Sequence, residues 1–182
     1  MSNQSAETAQ GLSPIVSDII RSARMTLDEY REKLGAIVQN LHALEFLLRV
    51  FLQGQPNARP MGIPPGTDIY SFPVGSNVPE NELTSYDSLC TLIAKFNCVM
   101  TSQGKQTIDL ALVELRDTIA HGRVSAPTRD GYLRLLKFDR PVGGQVKVTF
   151  NEVMTEDWFK AQTERTWAAV KHVAINARAG IQ

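Results

Sequence analysis

Apolar residues recur along the first third of the chain at Val16, Ile20, Ala23, Leu27, Tyr30, Leu34, Ile37, Leu41, Leu44, Leu48 and Phe51, in alternating steps of four and three. Such spacing gathers side chains on one stripe of an α-helix, so it predicts a long first helix. Ser13-Pro14 supplies its start: a serine cap, then a proline whose missing N–H costs nothing at the first helical position. From 14 to 52 that helix is about 39 residues, or roughly 58 Å. After Gly35 the flanking positions Val38, Phe46, Leu47, Val50 and Leu52 are apolar too, which predicts a second half enclosed on more than one side. The first half, with Arg21, Arg24, Asp28, Glu29, Arg31, Glu32 and Lys33, is expected to face water, and Gly35 to divide the halves by a bend.

The pattern then breaks. Residues 54–83 hold six of the nine prolines (Pro56, Pro60, Pro64, Pro65, Pro73, Pro79), with Gly54, Gly62, Gly66 and Gly75, and cannot be helical. Ile69, Tyr70, Phe72 and Val74 are expected to pin this insert as a structured flap. A second helix is predicted from a cap at Thr84 or Ser85, with Leu89, Leu92, Ile93, Phe96, Val99 and Met100 inward. A third starts near Thr107 or Ile108, turns Ile108, Ala111, Leu112, Leu115 and Ile119 to the core, and ends at His121 before Gly122. After Pro127 the period changes to two. Residues 132–138 and 145–150 read as a β-hairpin turning at 139–144, with Val146, Val148 and Phe150 facing the protein. Thr155 caps a last helix with Glu156 and Asp157 in its first turn. Phe159, Thr166, Val170, Val173 and Ala177 face inward, widened by Trp158 and Trp167. The fold class predicted is mainly α. It is an antiparallel four-helix bundle with a long first helix, a Pro-rich insert after it, and a β-hairpin before the last helix. It forms a single domain over 13–178, preceded by a flexible 1–12.

Composition narrows the classes. The 182 residues suffice for one domain with a core, and the 19 basic and 19 acidic residues cancel, which argues against general electrostatic capture of nucleic acid. Cys90 and Cys98 match neither a metal-ligand spacing nor a disulfide framework. Both are expected buried as free thiols in a reducing, cytoplasmic compartment. The polar opening MSNQSAETAQG predicts no signal peptide and no membrane span. No Gly-rich phosphate loop or metal-ligand spacing is present. His42 and Glu45 lack further ligands, and His42 is expected partly buried, His172 exposed. No cofactor or metal is expected.

The chemistry-bearing stretch is Glu114–Val124, ELRDTIAHGRV, where an arginine and a histidine meet a helix end. An arginine offers a planar fork of donors to a phosphodiester, and a histidine moves protons near neutral pH. Together they suit RNA cleavage without a metal, because the 2′-hydroxyl is the nucleophile. On a regular helix Arg116 and His121 stand about 140° apart, so convergence needs a loosened last turn or a second copy of the chain. From Arg123 to Lys147 six basic residues (Arg123, Arg129, Arg134, Lys137, Arg140, Lys147) face two acidic ones, Asp130 and Asp139, a pattern for an RNA-facing arm or for a charged strand edge. A purely structural reading stands beside the catalytic one. In it Arg116 pairs with Glu45 on the first helix, and His121 bonds the last carbonyls of its own helix.

The sequence Arg116-Asp117-Thr118-Ile119-Ala120-His121, followed by Gly122, resembles the signature of the HEPN superfamily, helical nucleotide-binding and RNase-like domains. Glu45-Phe46-Leu47-Leu48-Arg49 is similar to the acidic-then-leucine-arginine pattern of its first helix. The likeness covers roughly residues 15–177. It implies a helical bundle that dimerises so that two arginine–histidine pairs line one cleft, in toxin, phage-defence or RNA-processing systems. On it Arg116 would hold the phosphate, His121 transfer protons and Asp117 orient the motif; the charge pattern, not the resemblance, adds Arg123, Arg129, Arg134 and Lys137 as substrate contacts. The partners implied are a second copy, RNA, and a protein such as an antitoxin. Other members keep the motif as structure only. In such a member the chain would be a non-catalytic interaction or accessory protein. The Pro-rich insert and the hairpin depart from a plain four-helix member.

Overall fold

A computed structural model describes residues 25–64, 66–68, 71–125 and 131–179. Among them are four helices, α1 (Leu27–Gln53), α2 (Leu89–Ser102), α3 (Ala111–His121) and α4 (Glu156–Ala179). A small antiparallel sheet has the order β1 (Arg123–Val124), β2 (Arg134–Phe138), β3 (Val148–Val153). The protein is mainly helical, as the periodicity predicts. The described residues group into two compact units, 25–38 with 115–163 and 39–114 with 164–179.

α1 starts at Leu27, inside the span expected from 14 to 52. Thr26 and Glu29 form a reciprocal cap: Glu29 N donates to Thr26 Oγ1 (3.2 Å) and Thr26 N to Glu29 Oε2 (2.7 Å). The Thr26 hydrogen bonds hold the Glu29 carboxyl below the usual carboxylate range. The apolar stripe stays in phase through this cap, so periodicity alone could not find it. The Ser13-Pro14 start and Val16, Ile20 and Ala23 lie outside the described residues. α1 then runs through Gly35 as one helix. It is long and apolar enough to cross a membrane by length and composition, a test that the core helix of a soluble protein also meets.

In the first unit, Met25, Tyr30, Ile37, Leu115, Leu135, Met154, Trp158 and Phe159 are buried. Tyr30 and Phe159 meet edge to face at 5.6 Å, as do Trp158 and Phe159 at 5.1 Å. The Tyr30 hydroxyl accepts from Leu133 N (2.8 Å) and donates to Met154 O (3.3 Å). One side chain thus ties α1 to the start of β2 and the end of β3, and burial pushes its phenol pKa up.

Strand register sorts the sheet residues onto two faces. Arg123 pairs with Leu136, which pairs with Asn151; Leu135 pairs with Val124 and Glu152, and Lys137 with Phe150. Directly opposed residues share a face. Leu135 is buried, so its face points to the core. The hairpin expected over 132–138 and 145–150 is therefore shifted in its second strand and gains β1 as a third. Val146 and Val148, expected to face the protein, are exposed. An irregularity between Lys137 and Phe138 sets Phe138 opposite Val148 and so takes Thr149 out of the pairing.

In the second unit α2 buries Leu89, Leu92, Ile93, Phe96 and Met100. That stripe leaves Cys90 and Cys98 on the other side, and both are exposed, contrary to the expected burial. The cap of α2 is Ser88, which accepts from Thr91 N, rather than Thr84 or Ser85. Those two are engaged elsewhere: Thr84 with Asn81 and Pro79, Ser85 with Arg49. α4 starts where predicted, with Thr155 Oγ1 accepting from Trp158 N. Thr166, Val170, Val173 and Ala177 are buried in this unit, while Trp167 is half exposed. Phe46, expected to be enclosed, is exposed as well.

Among its described residues the insert is pinned by polar groups. Ile69 and Tyr70 lie outside the described residues; Phe72 and Val74 are exposed. Asn81 is buried, accepts from Leu83 N and Thr84 N, and donates to Met61 O. Gln53 donates to Arg59 O and accepts from Glu82 N.

Gly122 carries the tightest packing. Its N–H donates to Thr118 O at 2.7 Å. A Cβ there would lie 2.2 Å from that oxygen and 3.0 Å from both Leu135 Cδ1 and Leu136 O. Gly122→Ala is expected to cost about 2–3 kcal/mol, the scale of an overpacked site without room to relax. Gly35 has nothing within 4 Å of such a Cβ, so Gly35→Ala is expected to stabilise by about 0.5–1 kcal/mol. Urea midpoints of the two variants check both signs. Tyr30→Phe leaves Leu133 N and Met154 O without their partner and is expected to cost about 1–3 kcal/mol, seen as a lower urea midpoint.

Candidate functional site

α3 presents Arg116, Asp117 and His121 near its C-terminal end. Arg116 is exposed, and its Nη1 lies 3.0 Å from Asp117 Oδ1, a surface ion pair with both side chains about half open to solvent. Thr118, one residue further, is fully buried. It anchors this turn to the core while its neighbours face water. His121 is the last helical residue and is exposed, and its imidazole makes no hydrogen bond among the described residues. The helix stays regular to its end, closed by the Gly122–Thr118 bond. Arg116 and His121 therefore leave one copy of α3 about 140° apart, and no hydrogen bond or ion pair joins them among the described residues.

The chain passes from His121 through Gly122 directly into β1. Arg123 follows, its guanidinium 5.2 Å above the centre of the Phe138 ring. Arg134 Nη1 donates to Asn151 Oδ1 at 2.5 Å. By register Arg123, Arg134, Leu136, Phe138 and Asn151 share the face away from Leu135. Lys137 shares the Leu135 face with Phe150, so of the residues grouped by sequence as substrate contacts Arg123 and Arg134 lie on one face and Lys137 on the other. Arg129 lies outside the described residues. Asn151 and the pairing of Phe138 with Arg123 were missed, because cross-strand neighbours depend on a register that composition does not contain.

Glu45 is held elsewhere than expected. Its Oε1 accepts from Arg49 Nη2 at 3.0 Å, one helical turn on. Arg49, largely buried, also donates to Ser85 O (2.7 Å), Ser85 Oγ (3.1 Å) and Asp87 O (2.8 Å). Asp87 in turn pairs with Lys95 at 2.7 Å, which holds its carboxyl below and the ammonium above their usual ranges. The Arg116–Glu45 pair anticipated from the sequence is not formed: Glu45 pairs with Arg49, and Arg116 with Asp117. His42 is exposed rather than partly buried. His172, expected exposed, is half-buried, with Nε2 2.8 Å from Gln106 O and its ring edge-on to Phe96.

Arg116→Met is expected to change stability by less than about 0.5 kcal/mol, as for a screened surface pair. Arg49→Met, which strips partners from two carbonyls, a hydroxyl and Glu45, is expected to cost about 2–4 kcal/mol. Urea titration of both variants checks the order; the reverse order would make Arg116 the structural residue.

No family model, no curated protein and no solved structure matches this chain, so the chemistry of the site rests on its residues.

Proposed function

We propose that the protein is a metal-independent endoribonuclease of toxin or phage-defence type, acting as a homodimer. The observation that carries this is the exposure of His121 and Arg116: among the described residues His121 makes no hydrogen bond and Arg116 makes only a surface pair. A histidine retained for structure would be bonded to the helix end it closes. In this reading one His121 takes the 2′-hydroxyl proton as O2′ attacks the phosphorus, and the partner copy's histidine protonates the departing 5′-oxygen. Arg116 holds the phosphate, and Asp117 orients its guanidinium. Two copies are needed because the regular end of α3 keeps Arg116 and His121 apart on one chain. The four helices are proposed to form an antiparallel bundle, the protein to work in the cytoplasm, and a protein such as an antitoxin to restrain it.

One observation favours a second reading. The Arg116 charge is already matched by Asp117, which suits a non-catalytic helical interaction or accessory protein as well.

Incubation of an RNA panel with purified protein in EDTA separates the two. Cleavage leaving 2′,3′-cyclic phosphate ends is expected, reduced at least about hundredfold in His121→Ala and in Arg116→Ala, with circular dichroism and mass unchanged. A folded wild-type dimer that leaves every RNA intact would give the place to the interaction-protein reading.

A further inference from the structure

We propose that the outward face of the sheet, Arg123, Arg134, Leu136, Phe138 and Asn151, is a binding platform for single-stranded RNA. It rests on the RNA reading above for its ligand, but not on the catalytic roles of Arg116 and His121.

Three features of this face go together. The Arg123 guanidinium lies over the Phe138 ring in a cation–π contact at 5.2 Å, yet the residue remains exposed. An exposed guanidinium already beside an aromatic ring suits a further planar partner, and a nucleobase is a planar group on which arginine stacks well. Asn151 is exposed, and its Oδ1 is taken by Arg134 at 2.5 Å. That bond occupies the amide oxygen and leaves the two Nδ2 hydrogens, which have no partner among the described residues. They suit the carbonyl and ring-nitrogen acceptors on a base edge. Leu136 lies between them by register and provides a half-buried apolar floor. The row from Arg123 across to Asn151 spans about 10 Å, and Arg134 to Phe138 along β2 about 13 Å, enough for two or three unstacked bases.

A charged strand edge would be the plainer explanation of these residues. Edge protection places charge where N–H and C=O groups are unpaired and fits Arg123 on the edge strand β1, but not Arg134, which sits on the central strand, bonded on both sides. A duplex is the poorer ligand, because its base faces are covered by stacking and its phosphates alone would favour neither Arg123 nor Asn151 over Lys137. The ligand recognised by a guanidinium over an aromatic ring, an amide donor and an apolar floor is one whose bases are exposed.

The test uses the full chain carrying His121→Ala, so that RNA stays intact. Fluorescence anisotropy compares a labelled RNA of about twelve nucleotides, single-stranded, with the same strand annealed to its complement. The single strand is expected to bind at least about tenfold more tightly. Arg123→Lys keeps the charge and removes the planar group, and is expected to weaken binding about fivefold to hundredfold, the worth of one stacked base. Asn151→Ala is expected to weaken it about tenfold. Lys137→Gln removes a whole charge from the opposite face and is expected to change binding by less than about threefold. Equal binding of duplex and single strand, an equal loss in Lys137→Gln and Arg123→Lys, or no binding by the folded protein would each overturn the platform. Binding as expected with no cleavage by the wild-type protein would leave the platform standing and remove only the ribonuclease reading.

Discussion

The contact between Gly122 and the carbonyl of Thr118 decides where the chemistry-bearing residues can go. With the helix end this close to Leu135 and Leu136 of the central strand, α3 stops without unwinding and the chain enters β1 within two residues. His121 and Arg123 are thereby fixed on either side of one crowded backbone position, the first ending a helix and the second opening a sheet. A side chain at 122 would have to move a carbonyl oxygen, not merely the tip of a flexible neighbour.

Two polar anchors hold the surroundings, one in each unit. The Tyr30 hydroxyl serves one backbone donor and one backbone acceptor at the base of the sheet. The Arg49 guanidinium serves two backbone carbonyls, a serine and Glu45 where the insert meets α2. Both are shielded from water and make several bonds, so losing either strands buried groups, at a cost of kilocalories. The Arg116–Asp117 pair is exposed and screened, worth a fraction of that. This contrast of magnitudes separates the largely buried, stabilising Arg49 from the exposed Arg116.

Regularity at the end of α3 has a functional consequence. Because the last turn does not loosen, one chain cannot bring Arg116 and His121 to the same phosphate, and the proposed chemistry depends on a second copy. The sheet supplies what the helix end lacks. Its outward face carries Arg123 over Phe138 and Asn151 bonded to Arg134, while Lys137 lies on the opposite face.

Much of the helical framework was legible in the sequence. The alternation of four and three in α1, the stop at Gly122 and the Thr155 cap of α4 follow from local geometry, which each stretch of chain carries within itself. Thr26-x-x-Glu29 was legible too, but a stripe that stays in phase hides a cap beneath it. What the sequence could not decide was pairing. Whether Glu45 meets Arg49 or Arg116, whether the cysteines of an apolar helix face in or out, and whether Phe138 lies beside Arg123 depend on which face of an element another element covers. Strand register adds a further choice, since a shift of one residue exchanges the two faces of a strand. Sequence thus determined the elements and the residues able to do chemistry; tertiary packing decided which of them share a surface, because that is fixed by contacts between residues far apart in the chain.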